Sequence, residues 1–595
     1  MKPILNLTLL ILLLHPSSFT LHSSSPRPTF ACEDIEDVPL IECEALVALY
    51  NSANGSGWVD STGWLDGDTV ADWYGVTTLD GHVTGLSLSE NFLIGSLPLE
   101  LGDLENLQVL ALDHNLLSGS IPPTLGNLTH LETLDFSDTL LSGGLPVTLG
   151  DLTSLTILSL SENQLTGDLP AELGNLTALT SLYLDYNLFT GNLPVELGDL
   201  ANLQALALDS NLLSGDLPVE LGDLTNLIKL SLAGNQLTGD IPVELGQLLN
   251  LQTLNLSANL LSGSIPAEIG NITGLKSMNL GFNQLSGDIP AQIGTLTSLV
   301  SLTLAGNQLA GRLPVELGDL ASLKFLDISA NQLDGAIPAD LGDLAPLLFL
   351  HLEHNQLSGE IPAELGDLVS LRVLWLHDNL LTGDIPPSFA NLVNLYNAGL
   401  YSGADGLDLD YNYLHVPADY VNLTDPLQVL LAQKDPDWHT LQGFTVEVPI
   451  TGGAFPSLDG RLSVTIPAGA LDQTTLFTFT PLPALQHDPG ALFFANHTFL
   501  LTAEDELGTT LTTFDPPLTL TLTYLDEDIQ GMYEGSLALN YWDTTTWLDA
   551  TSTCPGAEYT RDLAANTLSL PVCHLTEFAL FGSYLHTMLP VLLKY

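Results

Sequence analysis

The chain has 595 residues, with 70 acidic side chains against 11 Lys and Arg and a formal net charge of −59 at pH 7. That balance excludes nucleic-acid binding through the protein's own charge. With 45% hydrophobic residues the chain is also not mainly disordered, and its abnormality is scarcity of cations rather than a surplus of acids.

Met1, Lys2 and Pro3 precede an apolar run from Ile4 to Leu14 and a Ser/Pro-rich stretch to Ala31. This is the layout of an export signal and processing segment, residues 1–31, with cleavage near Ser23 to Ser25 or after Ala31. No later segment reaches the ~18 to 20 unbroken apolar residues of a membrane span, so the expected location is secreted or at the cell surface. The final residues, 583–595, are an apolar tail that reads as a last strand or loose end, or as a sorting or attachment signal. The four cysteines fall into two local pairs, Cys32 with Cys43 and Cys554 with Cys573. In an oxidising compartment two short-loop disulfides are the expected connectivity, and none of the four has zinc-site spacing.

Residues 32–82 form a cap segment, with an apolar helical stretch from Glu44 to Tyr50 and three tryptophans, Trp58, Trp64 and Trp73, expected in its core. From residue 83 to 425 one unit of 24 residues recurs about 14 times, as in Leu107-x-x-Leu110-x-Leu112-x-x-Asn115-x-Leu117-x-Gly119-x-Ile121-Pro122. Its asparagine column runs from Asn91 to Asn379 with Thr139 as the exception, and Asn412 follows after an interruption around Tyr401 to Gly406. One coil cannot bury its Leu/Ile side, but stacked coils share a continuous core. The Leu-x-Leu step predicts a short strand with leucines inward and the intervening residues on a solvated concave face. Each column Asn is placed to bond turn backbone, which Thr139 can do only in part.

This signature, with a Leu/Ile-Pro step in every unit from Pro98 to Pro386, resembles the plant-type leucine-rich repeat. The resemblance implies an α/β solenoid, a leucine-rich repeat right-handed superhelix. Residues 32–82 are similar to the family's N-terminal cap, except that its usual cysteine pair is replaced by Ala71 and Thr78.

The leucine pattern stops after Pro426, and residues 426–440, including Asp435-Pro436-Asp437-Trp438, read as a linker. About eight alternating segments between Phe444 and Phe581 then predict an all-β sandwich over residues 441–582. The run Asp459 to Leu471 resembles the sandwich domain of ankyrins and netrin receptors, which implies a contact or spacer module without catalytic residues.

Three surfaces are candidates for function. Acids repeat in columns, Glu172, Glu196, Glu220, Glu244, Glu268, Glu316, Asp340 and Glu364, with Asp151, Asp199, Asp223, Asp319, Asp343 and Asp367 beside them. They read as a solvated flank, or as weak capture of calcium or a cationic partner. The concave positions are small or polar in mid-array but become Phe325, Asp327, Phe349, His351, Glu353, His354, Trp375, His377 and Asp378 near the C-terminal end. Solubility does not require such a patch, which makes it the candidate ligand-binding site. A divalent-metal reading has ligands enough but no family spacing, so neither metal nor cofactor is expected. A weaker cluster is Tyr183, Asp185, Tyr186 and Asp209; Asp408 and Asp410 read as ordinary concave residues of the last repeat.

No G-x-S-x-G, H-E-x-x-H, P-loop or kinase set occurs, so the chain is read as non-enzymatic. The expected role is recognition of an extracellular protein or glycan by a monomer, through the concave face. The alternatives are a surface or adhesion protein with the array as spacer, and a hydrolase without a recognisable motif.

Overall fold

In most coils the Leu-x-Leu step forms a three-residue strand with its middle leucine buried, and in Ser181–Tyr183 both flanking residues are partly exposed. These strands come from a computed structural model. It describes residues 30–397, 406–410, 412–414 and 425–435, and short segments between 442 and 582. Residues 1–29 of the export segment, Cys554 and the tail at 583–595 lie outside the described residues.

The concave sheet has 15 strands: an antiparallel partner, Val76–Leu79, at its edge, then parallel strands from His82–Ser87 to Leu407–Asp408. Inward leucines such as Leu206, Leu230 and Leu254 are 0% exposed and join one core that runs from the cap to residue 431. The opposite side of each coil is a five-residue 3-10 turn, from Leu99–Asp103 to Pro387–Asn391. Its Leu-Gly step has a steric cause, since a Cβ on Gly174 would lie 2.4 Å from the Glu196 carbonyl of the next coil. Short strands at the Leu-x-Gly step form smaller parallel sheets along a third side.

The asparagine column is a continuous ladder. Asn259 Nδ2 donates to Leu232 O and Leu256 O at 3.0 and 3.1 Å, and its Oδ1 accepts from Leu237 N at 3.1 Å. Thr139 donates instead to Phe136 O and Asn163 Oδ1, so its single hydroxyl hydrogen is shared between two acceptors.

The cap follows the sequence reading. Helix α1, Leu40–Ser52, buries Cys43, Ala45, Leu46 and Leu49, and Cys32 is disulfide-bonded to Cys43. Trp58, Trp64 and Trp73 are buried, with ring centroids 4.8 Å apart at each step. Buried Glu42 ties α1 to the first strands through His82 Nδ1 at 2.6 Å and Val83 N at 2.7 Å. Where the family's cap cysteine would stand at Ala71, the Asp37 carboxylate accepts from Val70 N and Ala71 N.

The far end differs from the linker expected at 426–440. Residues Pro426–Lys434 form a second helix, α2, N-capped by Asp425, and its Leu430 and Leu431 are buried in the core of the array. The following Asp435 accepts from Leu409 N. Gln442, 0% exposed, accepts from Leu414 N and donates to Leu409 O, which are the bonds a fifteenth column Asn would make. The start of the supposed linker therefore closes the solenoid.

Beyond it lie two antiparallel sheets, of six and five strands. The eight sequence-predicted strands are present, and three short ones are added: Gly453–Pro456, Trp547–Asp549 and Thr560–Asp562. The register shift between Thr513 and Leu518 coincides with Pro516 and Pro517, as expected where ladder donors are missing. No helix among the described residues is long and apolar enough to cross a membrane.

Candidate functional site

The C-terminal coils bring the predicted patch together because the parallel register is unbroken. Asp327 pairs with His351 and His351 with Trp375, so the three side chains form one concave column. Phe325 pairs with Phe349 in the next column, with ring centroids 5.9 Å apart. The interruption before the last coil shifts its numbering, and register makes Asp408 the continuation of the column after Trp375.

Aromatic and imidazole rings pave this surface. His351 lies 4.4 Å from Trp375 and 5.7 Å from Phe325, and His377 lies 4.9 Å from His354 and 6.1 Å from Trp375, centroid to centroid. Each histidine also faces a carboxylate. His354 Nδ1 is 2.7 Å from Asp378 Oδ2, His377 Nδ1 is 3.0 Å from Asp408 Oδ2, and His351 Nδ1 is 3.5 Å from Glu353 Oε1. The His377 contact meets the distance for an ion pair but not the angles of a hydrogen bond. The Asp378 hydrogen bond raises His354 above the ordinary histidine pKa, against the opposing effect of desolvation.

Glu353 stands beside His377 by repeat position, yet its carboxylate turns to His351 of its own coil and is buried. His354 and Asp378 have positive φ, 55° and 51°. The same conformation recurs at Tyr186, Ser210, Phe282 and Ala330, so it belongs to the repeat and is not strain peculiar to the site.

Tyr183, Asp185, Tyr186 and Asp209 do not form a comparable cluster. Asp185 accepts from Ser161 Oγ at 2.6 Å, and Asp209 from Ser231 Oγ and Ala233 N, so both acids tie neighbouring coils together. Tyr186 is 57% exposed. The acidic columns lie on the 3-10 turns, across the coil from the concave sheet.

Two features were missed from sequence. Asp408 and Asp410 join Asp435 in a carboxylate group at the end of the sheet, and Asp408 serves His377. Exposed Lys229, Lys276, Lys324 and Arg372 stand at the leading edge of concave strands, so four of the array's five cations share one edge and only Arg312 lies elsewhere. Their repeat positions carried the signal, since Lys276, Lys324 and Arg372 recur at intervals of 48 residues.

The family described as Leucine Rich Repeat matches eight units, at residues 106–128, 154–176, 178–200, 226–248, 250–272, 322–344, 346–368 and 370–392. The Arabidopsis receptor kinase HAESA, solved with the peptide hormone IDA and the co-receptor SERK1, is 30% identical. That similarity covers 63% of this chain and 74% of HAESA, with a TM-score of 0.50. The chain belongs to the leucine-rich repeat family. Other leucine-rich repeat structures agree. The PEPR1–AtPEP1 complex is 34% identical over 63% of this chain and 55% of that one, with a TM-score of 0.55. A TDR receptor is 33% identical over 56% of each chain, with a TM-score of 0.52. The chain thus spans only about half the length of these two structures. Comparison with curated protein sequences returns no match.

Proposed function

We propose that this leucine-rich repeat protein is an exported, non-enzymatic recognition protein that binds an extracellular protein or peptide through the C-terminal third of its concave sheet. The observation that carries this reading is the patch itself. Phe325, Phe349, His351, Trp375 and His377 gather rings and charge-bearing groups on neighbouring strands, whereas mid-array positions such as Ser231, Thr303 and Ala305 are small. Aromatic side chains supply large contact area at low entropic cost, and anchors of this kind dominate binding energy. Structures such as HAESA, solved with a bound peptide hormone, support a peptide ligand over a glycan.

The distribution of charge supports a definite docking orientation. Four cations, Lys229, Lys276, Lys324 and Arg372, stand at the leading edge of the concave sheet and acids line the opposite turns, so a partner's acidic groups are best placed along that edge and its basic groups over the patch carboxylates. In this reading the two C-terminal sheets pack as a sandwich that presents or anchors the array, and the acidic flank keeps the protein soluble.

The test is a binding screen of the secreted chain against extracellular proteins, peptides and glycans, run beside His351→Ala/Trp375→Ala. The expected result is a protein or peptide hit that the double variant loses while its far-UV circular dichroism shows the solenoid still folded at the temperature of the screen. A hit indifferent to the variant would favour the spacer or adhesion role instead.

A further inference from the structure

Within the patch, Asp327, His351 and Glu353 each offer a ligand atom, and the three atoms lie within 4.8 Å of one another. This is not a group of solvated surface acids. Glu353 is 6% exposed, and its Oε2 accepts no hydrogen bond among the described residues, while Oε1 faces His351 Nδ1 at 3.5 Å. His351 Nε2 is likewise buried without a hydrogen-bond partner among the described residues. Asp327 uses Oδ1 for Ser329 N and Oγ, which fixes the carboxylate and leaves Oδ2 for another partner. A buried carboxylate oxygen and a buried ring nitrogen, both without a hydrogen-bond partner among the described residues and on side chains grouped with a second carboxylate, are stabilised by a cation that offsets their desolvation.

We propose that Asp327, His351 and Glu353 form a binding site for a divalent transition-metal cation, of which Zn²⁺ is the representative. The donor set selects the class. One imidazole and two carboxylates suit Zn²⁺ or Mn²⁺ better than Ca²⁺, which prefers six to eight oxygens. Two carboxylates also match the charge of a divalent ion. Three protein ligands leave at least one coordination position open, which a partner's carboxylate or imidazole could complete. Asp327 and His351 are strand neighbours, so two of the three ligands sit on the sheet, and Glu353 follows two residues after His351. The site stands independently of the proposed partner, because a metal titration contains none.

The experiment is calorimetric titration of Zn²⁺ into the full chain after exhaustive chelation, with Co²⁺ absorption as a second readout of nitrogen ligation. The expected result is one site that survives a tenfold excess of Ca²⁺. Glu353→Gln, of equal size, should weaken it by about 100-fold or more, beyond what loss of an outer-sphere partner costs. Asp327→Asn, which keeps an acceptor for Ser329, is the second variant should the first fail to fold. Zn²⁺ binding that Ca²⁺ displaces equally, or that both variants retain, or no binding at all, would overturn the site. Any of these leaves the recognition reading to its own test.

Discussion

Truncating one rung of the asparagine ladder probes what holds the solenoid in register. In Asn259→Ala the carbonyls are partly protected, because Leu232 O also accepts from Asn235 and Leu256 O from Asn283. The Leu237 amide is not, since it loses its Asn259 Oδ1 acceptor in a fully buried residue. An orphaned buried amide costs about 1 to 3 kcal/mol, and the donations lost to already shared carbonyls add about 1 kcal/mol net, giving about 2 to 4 kcal/mol in all. Because each coil touches only its neighbours, the defect is local, and an equivalent rung should cost the same. Urea unfolding followed by far-UV circular dichroism should therefore give similarly lowered midpoints for Asn259→Ala and Asn283→Ala. Unchanged midpoints in both would refute the claim that the ladder, rather than leucine burial alone, sets coil stability.

Three further outcomes follow from the same structure. Thr139→Asn restores the missing rung and should raise stability by about 1 kcal/mol, read from the same urea curves; a loss would mean the coil has closed around the smaller side chain. His354 is raised by its bond to Asp378, so the pair's contribution is fully present below the ordinary histidine pKa and is lost as pH rises through the raised value. Asp378→Asn should move the His354 ring titration, followed by NMR, back toward the ordinary range. Opening the Cys32–Cys43 loop by Cys43→Ser should cost about 2 to 3 kcal/mol, seen as early loss of tryptophan fluorescence from the cap.

The repeat was legible because its period never slips across the asparagine column, and each column position carries a steric or hydrogen-bonding demand that few residue types meet. The cap was legible from its tryptophans, but Asp37 standing in for the absent cysteine pair was not, since nothing local marks a carboxylate that reaches residues 70 and 71. The C-terminal closure was missed for a similar reason. Gln442 follows Asn412 by 30 residues, outside the period, and its role as a final rung depends on α2 bringing the chain back. In the candidate site, strand register could be counted from sequence up to Asp378. The insertion before the last coil hid Asp408 as the partner of His377, and the turn of Glu353 toward His351 is a rotamer choice that spacing does not encode.

The central claim is that the C-terminal concave patch, and not the solenoid as a whole, recognises the partner. Its most direct test is the affinity of the captured partner for two variants of matched stability. One is His351→Ala/Trp375→Ala in the patch, and the other is Glu220→Gln/Glu244→Gln on the opposite turns. A loss of about 100-fold or more, confined to the patch variant, is the predicted result, as for a central aromatic anchor. Equal affinity of both variants, or a larger loss on the turn side, would contradict it.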